Sequence, residues 1–356
     1  MNDSKLWRPS ASVEVLKIRA KLLKTVRNFF DSRDYIEVQT PIISRDTAID
    51  RWLEPIKAIT GFETAASYNG GENSKSEIPR RGDAFFLQTS PEFAMKRLLA
   101  AGSPSIYQIC PAFRQGEVGR RHNPEFTIVE WYGLNDDFQA GMRLLGDLCN
   151  ALLFPEYKRK CNFVSYRDAF IEFTSLDPFN ATMTQIHNYC QQEKIEIPDG
   201  FDPADRDSWL DVILSEKVQV NLGFSQCANV DTGKADLEPV ILYHYPASQA
   251  ALSKVVEENY GAVSQRFELF VGGLELANGY HELADGDELR RRHEQTNKLR
   301  LADGHAPLPE DALLIDALKA GFPPCTGCAM GFDRIVMLAA GVSDIAKSMA
   351  FDWSRA

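Results

Sequence analysis

Two stretches of this 356-residue chain read as strand pairs adjacent in sequence, and this feature restricts the fold more than any other. Ser105 to Phe113 and Pro124 to Tyr132 flank a polar loop, Arg114 to Asn123, in the pattern of a long antiparallel hairpin. A second strand region, Gln265 to Leu276, is broken by Gly272-Gly273, a strong two-residue turn signal. Strands that pair with their sequence neighbours argue against a doubly wound parallel sheet, where every pairing needs a crossover. The expected class is α+β, with an antiparallel sheet flanked by helices.

The remaining elements fit around that sheet. Val15, Ile18, Leu22, Val26 and Phe29 step by three and four, which predicts a helix from Ser12 to about Arg33, followed by a strand, Tyr35 to Val38. Strand Ala84 to Thr89 runs into Ser90 as N-cap, Pro91 at the first helical position and a helix to Ala101. Helices are expected at Asp136 to Leu153, about Thr182 to Lys217, Asp287 to Leu301 and Glu310 to Ala320, with strand at Pro239 to Tyr245. A strand-helix unit, Ala329 to Ala340, closes the series. Residues 61–83 carry Gly70-Gly71 and Arg80-Arg81 without periodicity and read as a mobile loop.

Composition narrows the partners. Lys+Arg 39 against Asp+Glu 50 leaves a formal charge of −11, which opposes a broad nucleic-acid surface. No apolar run approaches the roughly 18 residues of a membrane span, and Met1 to Lys17 has no apolar signal core, so a cytoplasmic protein without a membrane partner is expected. Seven cysteines, an odd number, imply reduced thiols. Cys325-Thr-Gly-Cys328 lacks a second CxxC and reads as packing in a tight turn rather than a zinc or redox site.

Four features could carry chemistry. Strand alternation puts Phe126, Ile128, Glu130 and Tyr132 on one face, which is either a solvated face or a carboxylate and phenol aimed into a pocket. With a two-residue turn, Phe270 pairs with Glu275 and Glu268 with Ala277, so Glu268 and Glu275 become diagonal neighbours on one face. They are either two carboxylates in water or ligands for Mg²⁺ completed by phosphates. Arg334, after Asp333 in a first helical turn, opposes the helix dipole unless an anion sits there, and Gly331 lets backbone approach a ligand; a surface arginine is the alternative. Arg114 at the mouth of the first hairpin carries the same ambiguity. Neither GxxxxGK[ST] nor GxGxxG occurs. Together these groups suit nucleotidyl transfer at an α-phosphate, driven by positioning and electrostatics.

The same segments, in the same order, resemble the motifs of class II aminoacyl-tRNA synthetases, and of the lysyl-tRNA synthetase catalytic domain in particular. The helix and strand ending at Thr40-Pro41 resemble motif 1, Phe113-Arg114 with Arg121-His122-Asn123-Pro124-Glu125-Phe126 motif 2, and Gly331-Phe332-Asp333-Arg334 motif 3. Ser90-Pro91-Glu92-Phe93, Tyr245-Pro246-Ala247-Ser248-Gln249-Ala250 and Glu275 to Leu283 are similar to the truncated paralogues that attach (R)-β-lysine to a lysine of elongation factor P. Only eleven residues precede the first helix, too few for the five-stranded anticodon barrel of a lysyl-tRNA synthetase, so no OB-fold domain is expected.

The resemblance implies an N-terminal tail at 1–11, a class II catalytic domain at 12–356, ATP and Mg²⁺ as cofactors, a homodimer through motif 1, (R)-β-lysine as substrate, elongation factor P as acceptor, and no tRNA. It implies Arg114 and Arg334 as catalytic residues, and Arg114, Gln115, Gly116, His122, Asn123, Phe126, Glu275, Leu276, Gly331 and Arg334 around ATP. It further implies Ser90, Pro91, Glu92, Glu130, Tyr132, Asn278, Glu282 and Ala329 around the amino acid, and Glu268 and Glu275 on the metal. A strict pleat puts Glu282 on the face opposite Glu275, so a bulge at Gly279 is expected to re-aim it. Two positions depart from the synthetases. Gly116 stands where they have a glutamate, and Ala329 where lysyl-tRNA synthetases have glycine and the paralogues alanine. One methyl is worth about 1–3 kcal/mol of discrimination, enough to disfavour an α-amino group. Two other functions fit the same fold: a truncated enzyme acylating tRNA or another amine, and a silent regulatory subunit. Retention of Arg114, Glu268, Glu275 and Arg334 opposes the second.

Overall fold

A computed structural model describes residues 7–59, 84–198, 201–224 and 237–356; the expected loop at 61–83 lies outside the described residues. Helix α1 (Val13–Asp31) starts where Ser12 Oγ accepts from the Val15 amide, and it buries Leu22, Val26, Phe29 and Phe30. After it come β1 (Ile36–Glu37), β2 (Ile43–Ser44), β3 (Lys57–Ile59), β4 (Ala84–Leu87), α2 (Glu92–Ala100), β5 (Ile106–Phe113), β6 (Glu125–Leu134) and α3 (Phe138–Leu153). The middle of the chain holds β7 (Asn162–Ser165), α4 (Tyr166–Thr174), α5 (Met183–Gln192), α6 (Arg206–Ile213), β8 (Val240–Pro246) and β9 (Val255–Glu258). Last are β10 (Gly261–Val271), β11 (Leu274–His281), α7 (Gly286–Ala302), α8 (Ala312–Ala320), β12 (Cys325–Gly331) and α9 (Phe332–Ala340).

The main sheet runs β1-β5-β6-β12-β11-β10-β8-β7 with β9 on β10, and β2-β4-β3 form a small second sheet. The fold is α+β as expected, and both predicted hairpins are present: β5 with β6, and β10 with β11. The sheet is mixed rather than wholly antiparallel, because β1 joins β5 and β7 joins β8 in parallel. One face packs on α1, α3 and α9 around Trp131, Phe267, Leu269 and Met330, where burial contributes about 1.5–3 kcal/mol per large apolar side chain. The other face carries the smaller α4 to α6 core at one end and α2 at the other, leaving its centre open.

Several local expectations are corrected. The helix at 90–101 starts at Glu92 without a side-chain cap, because the Ser90 hydroxyl, although it accepts from the Glu92 amide, is turned to Glu130. The expected helix Thr182 to Lys217 is broken into α5 and α6, with α6 ending in a wider turn at Leu214–Val218. Cys325 and Cys328 lie in β12, not in a tight turn; three residues apart on a strand, they enter separate cores on opposite faces as buried free thiols.

The β10–β11 register matters most for the site. Gly272 and Gly273 form the turn with φ of +59° and +70°, a conformation that suits glycine, and Phe270 pairs with Glu275 as predicted. Glu268, however, pairs with Asn278 rather than Ala277, because Leu276 is an extra residue in β11. The bulge therefore sits at Leu276 and not at Gly279. It turns both Leu276 and Ala277 into the core and puts Glu275, Asn278, Tyr280 and Glu282 on the open side. Gly279 instead permits close packing, since a Cβ there would meet the Phe267 ring at 2.4 Å and the Gly327 carbonyl at 2.9 Å.

Asp333, at the start of α9, is 2% exposed and accepts from the Thr127 amide of β6 at 2.6 Å and from Arg19 of α1. Arg19 also donates to Thr127 Oγ1 at 2.7 Å, so one carboxylate ties together α1, β6 and α9. Asp333→Ala removes the carboxylate partner of the Arg19 guanidinium, leaves the Thr127 amide without its acceptor and is expected to cost about 3 kcal/mol. Urea unfolding measures this, and an unshifted midpoint would show that the knot does not stabilise the fold.

Candidate active site

The open centre of the sheet is a cavity of about 800 Å³. Its floor is β6, β12 and β11, where Glu130 pairs with Ala329 and Ala329 with Asn278, so the Ala329 methyl lies between a carboxylate and an amide. Arg114, His122, Asn123, Phe126, Glu275, Leu276, Gly331 and Arg334 line it at one end, and Ser90, Glu92, Glu130, Tyr132, Asn278, Glu282 and Ala329 at the other. The β6 face thus lines a cavity, with Phe126, Ile128, Glu130 and Tyr132 turned into it, rather than forming a solvated face.

The first end is basic. Arg334 leaves the uncapped N-terminus of α9, donates to the Glu275 carbonyl at 2.8 Å and to His122 Nε2 at 2.8 Å, and lies 3.4 Å from the Glu275 carboxylate. Burial and the Arg334 charge lower the His122 pKa, so its imidazole is neutral and can accept from Arg334. Arg114 lies over the Phe126 ring, 5.0 Å from its centroid, and 3.5 Å from Glu117. His122 is held in place by a tight turn in which it exchanges backbone hydrogen bonds with Gly119. Gly116 has φ of +82°, and neither it nor Gln115 lines the cavity; the Gln115 amide instead donates to the Glu54 carbonyl. Glu117 does line the cavity, which leaves a carboxylate next to the glutamate position that Gly116 vacates.

The second end is acidic and nearly dry. Ser90 Oγ and Tyr132 Oη donate to the two oxygens of Glu130 at 2.6 and 2.7 Å. Glu282, 1% exposed, pairs with Lys96 Nζ at 2.5 Å, and Lys96 also reaches Glu92 at 2.5 Å. Burial and the Glu92 charge push the Glu130 carboxyl up to about 7, and burial pushes Glu282 up to about 8 against the pull of Lys96. Gly327 opens the space for this cluster, since a Cβ there would lie 2.2 Å from Glu282 Oε1 and 2.4 Å from the Tyr132 ring. Pro91 does not line the cavity.

Glu268 departs from its expected place. It does not line the cavity; its oxygens accept from Tyr245 Oη and from Arg266, and burial raises its pKa, with Glu275 adding repulsion. Among the described residues no group of three His, Cys, Asp or Glu could hold a metal. Glu275 and Glu268 offer hard oxygen donors that suit Mg²⁺ only when phosphate oxygens complete the shell. Glu275, whose side chain is 39% exposed, is the accessible one.

Sequence reasoning missed Lys96, Arg266 and His293. Lys96 follows Glu92 by four on a helix and looks like a surface ion pair until β12 and Glu282 close over it. Arg266 is half-buried, with its side chain 22% exposed, and joins Asn278, Gln249 and Glu268. His293, on α7, lines the cavity with its Nδ1 unpartnered, and burial lowers its pKa to about 4.

Comparison with known proteins places the chain in a family. The sequence profile of tRNA synthetases class II (D, K and N) matches residues 4–354. The elongation factor P (R)-β-lysine ligase of Salmonella typhi is 38% identical over 357 residues, covering 100% of each chain. With the three motifs knotted by Asp333 and their arginines at one end of a single cavity, the chain belongs to the class II tRNA synthetases of the D, K and N group.

Proposed function

We propose that this chain activates (R)-β-lysine with ATP and passes the β-lysyl group to the ε-amino group of a lysine on elongation factor P. The observation that carries the reading is the end-to-end match to a ligase of that name, supported by one cavity that joins a basic end to an acidic end. The β-lysine carboxylate attacks the α-phosphorus of ATP and pyrophosphate leaves; the acceptor amine then attacks the acyl carbon, AMP leaves, and the amine loses a proton. Arg114 and Arg334 hold the phosphates and offset charge that builds at the α-phosphorus. Phe126 stacks on adenine, with His122, Asn123, Leu276 and Gly331 around the nucleotide, and Glu117 compensates for Gly116. Glu275, joined by Glu268 if Tyr245 or Arg266 yields, would hold Mg²⁺, which supplies charge neutralisation on the leaving pyrophosphate. Ser90, Glu92, Glu130, Tyr132, Asn278 and Glu282 receive the two ammonium groups, with Pro91 shaping the turn that presents Ser90 and Glu92.

Pyrophosphate exchange should favour (R)-β-lysine over α-lysine, and acyl transfer should label elongation factor P rather than tRNA. Preference for α-lysine would remove the substrate assignment, and labelling of tRNA alone the acceptor. Because the Ala329 methyl sits between Glu130 and Asn278, Ala329→Gly should narrow the preference by about 1–3 kcal/mol, a factor of roughly 5 to 150.

Raised carboxyls at the acidic end give the pH dependence a definite sign. Glu130 near 7 and Glu282 near 8 hold protons in the free site at lower pH, and an arriving ammonium must displace them. The KM for (R)-β-lysine should therefore fall as pH rises from about 6 to 8.5, while that for ATP stays level. A flat amino-acid KM across this range would contradict the assignment.

The working form is proposed to be a homodimer through α1 and β1, beside which Ile36, Ile42 and Ile43 are 50%, 40% and 52% exposed. Light scattering should give twice the chain mass, and a monomer at micromolar concentration would exclude it.

A further inference from the structure

Lys96 is 2% exposed and does not line the cavity, yet both carboxylates it touches, Glu92 and Glu282, do. It stands behind the acidic end, reached from α2 by Glu92 and from the residue after β11 by Glu282. Other ionisable groups facing this cluster are Glu130 and Tyr132 of β6, Tyr280 of β11, His293 of α7, and Cys325 and Cys328 of β12. Burial alone lowers the affinity of the lysine for its proton, but Glu282 and Glu92 outweigh it, so the ammonium stays charged. Glu130 is satisfied separately by Ser90 and Tyr132. Three carboxylates against one buried ammonium therefore leave two negative charges when all are ionised, the number that a substrate with two ammonium groups cancels.

We propose that Lys96 is a positioning residue, a built-in counter-ion that holds Glu92 and Glu282 apart and sets the net charge of the cage to match a doubly cationic amino acid. The inference deepens the proposed function and rests on its reading of the acidic end as the amino-acid subsite. A merely structural ion pair would make the same contacts, but it would not predict the sign of a double substitution. Glu92→Gln removes one carboxylate and leaves the cage one negative charge short. Adding Lys96→Met to that variant removes the counter-ion, so that Glu130 and Glu282, when an arriving cation ionises both, again carry two negative charges, with no buried ammonium left unpaired.

The experiment measures pyrophosphate exchange for the two variants and the wild type, using whichever cationic amino acid the wild type activates best, with melting curves to confirm folding. Glu92→Gln should raise the amino-acid KM about tenfold with the ATP KM unchanged. Glu92→Gln with Lys96→Met should bring the amino-acid KM back down, a rescue by a second loss. Lys96→Met alone leaves three carboxylates without their counter-ion and is expected to fold less stably, so the comparison does not depend on it. A double variant that binds the amino acid no better than Glu92→Gln would overturn the proposal. If the preferred amino acid is not (R)-β-lysine, the substrate assignment fails while the charge comparison still decides the role of Lys96; a wild type that activates no cationic amino acid overturns both.

Discussion

Asp333 holds together three elements that the chain supplies more than a hundred residues apart: Arg19 on α1, Thr127 on β6 and its own helix α9. Each partner is otherwise a misplaced polar group, since a buried carboxylate, a half-buried guanidinium and a strand amide all lose water on folding. Joined, they satisfy one another and orient the ends of β6 and α9, from which Phe126 and Arg334 project. The basic end of the cavity inherits its geometry from this knot. Arg334 can reach across to Glu275 and His122 because the first turn of α9 is anchored from behind by the residue next to it.

The acidic end follows the opposite electrostatic logic. Carboxylates gathered out of water resist ionisation, and the raised carboxyls of Glu130 and Glu282 are the measure of that resistance. Hydrogen bonds from Ser90 and Tyr132, and the buried ammonium of Lys96, offset part of it. Glycine makes this density of charge sterically possible: at Gly327 any side chain would occupy the position of Glu282 Oε1.

Much of this was legible in the residues. The alternation in β6 placed Phe126, Ile128, Glu130 and Tyr132 on one face, and Gly272-Gly273 marked the second hairpin, because pleat and turn are local properties with a fixed period. What failed was whatever depended on a single inserted residue or on distant partners. The extra Leu276 shifts the register by one, which moves every later side chain of β11 to the other face. Nothing in the apolar run around it distinguishes a bulge from regular strand. Ser90 reads as a helix cap by residue type, but a carboxylate forty residues away competes for its hydroxyl.

Sequence alone determined the α+β class, the two hairpins, the order of the three motifs and most of the side chains on the open face, since each follows from short-range periodicity or from a motif of adjacent residues. Tertiary structure decided the parallel outer strands, the bulge at Leu276, the burial of Glu268 behind Tyr245 and Arg266, and the capture of Lys96 between Glu92 and Glu282. These depend on which groups meet after long-range packing has removed water, and desolvation is a property of the assembled surroundings rather than of any residue in the chain.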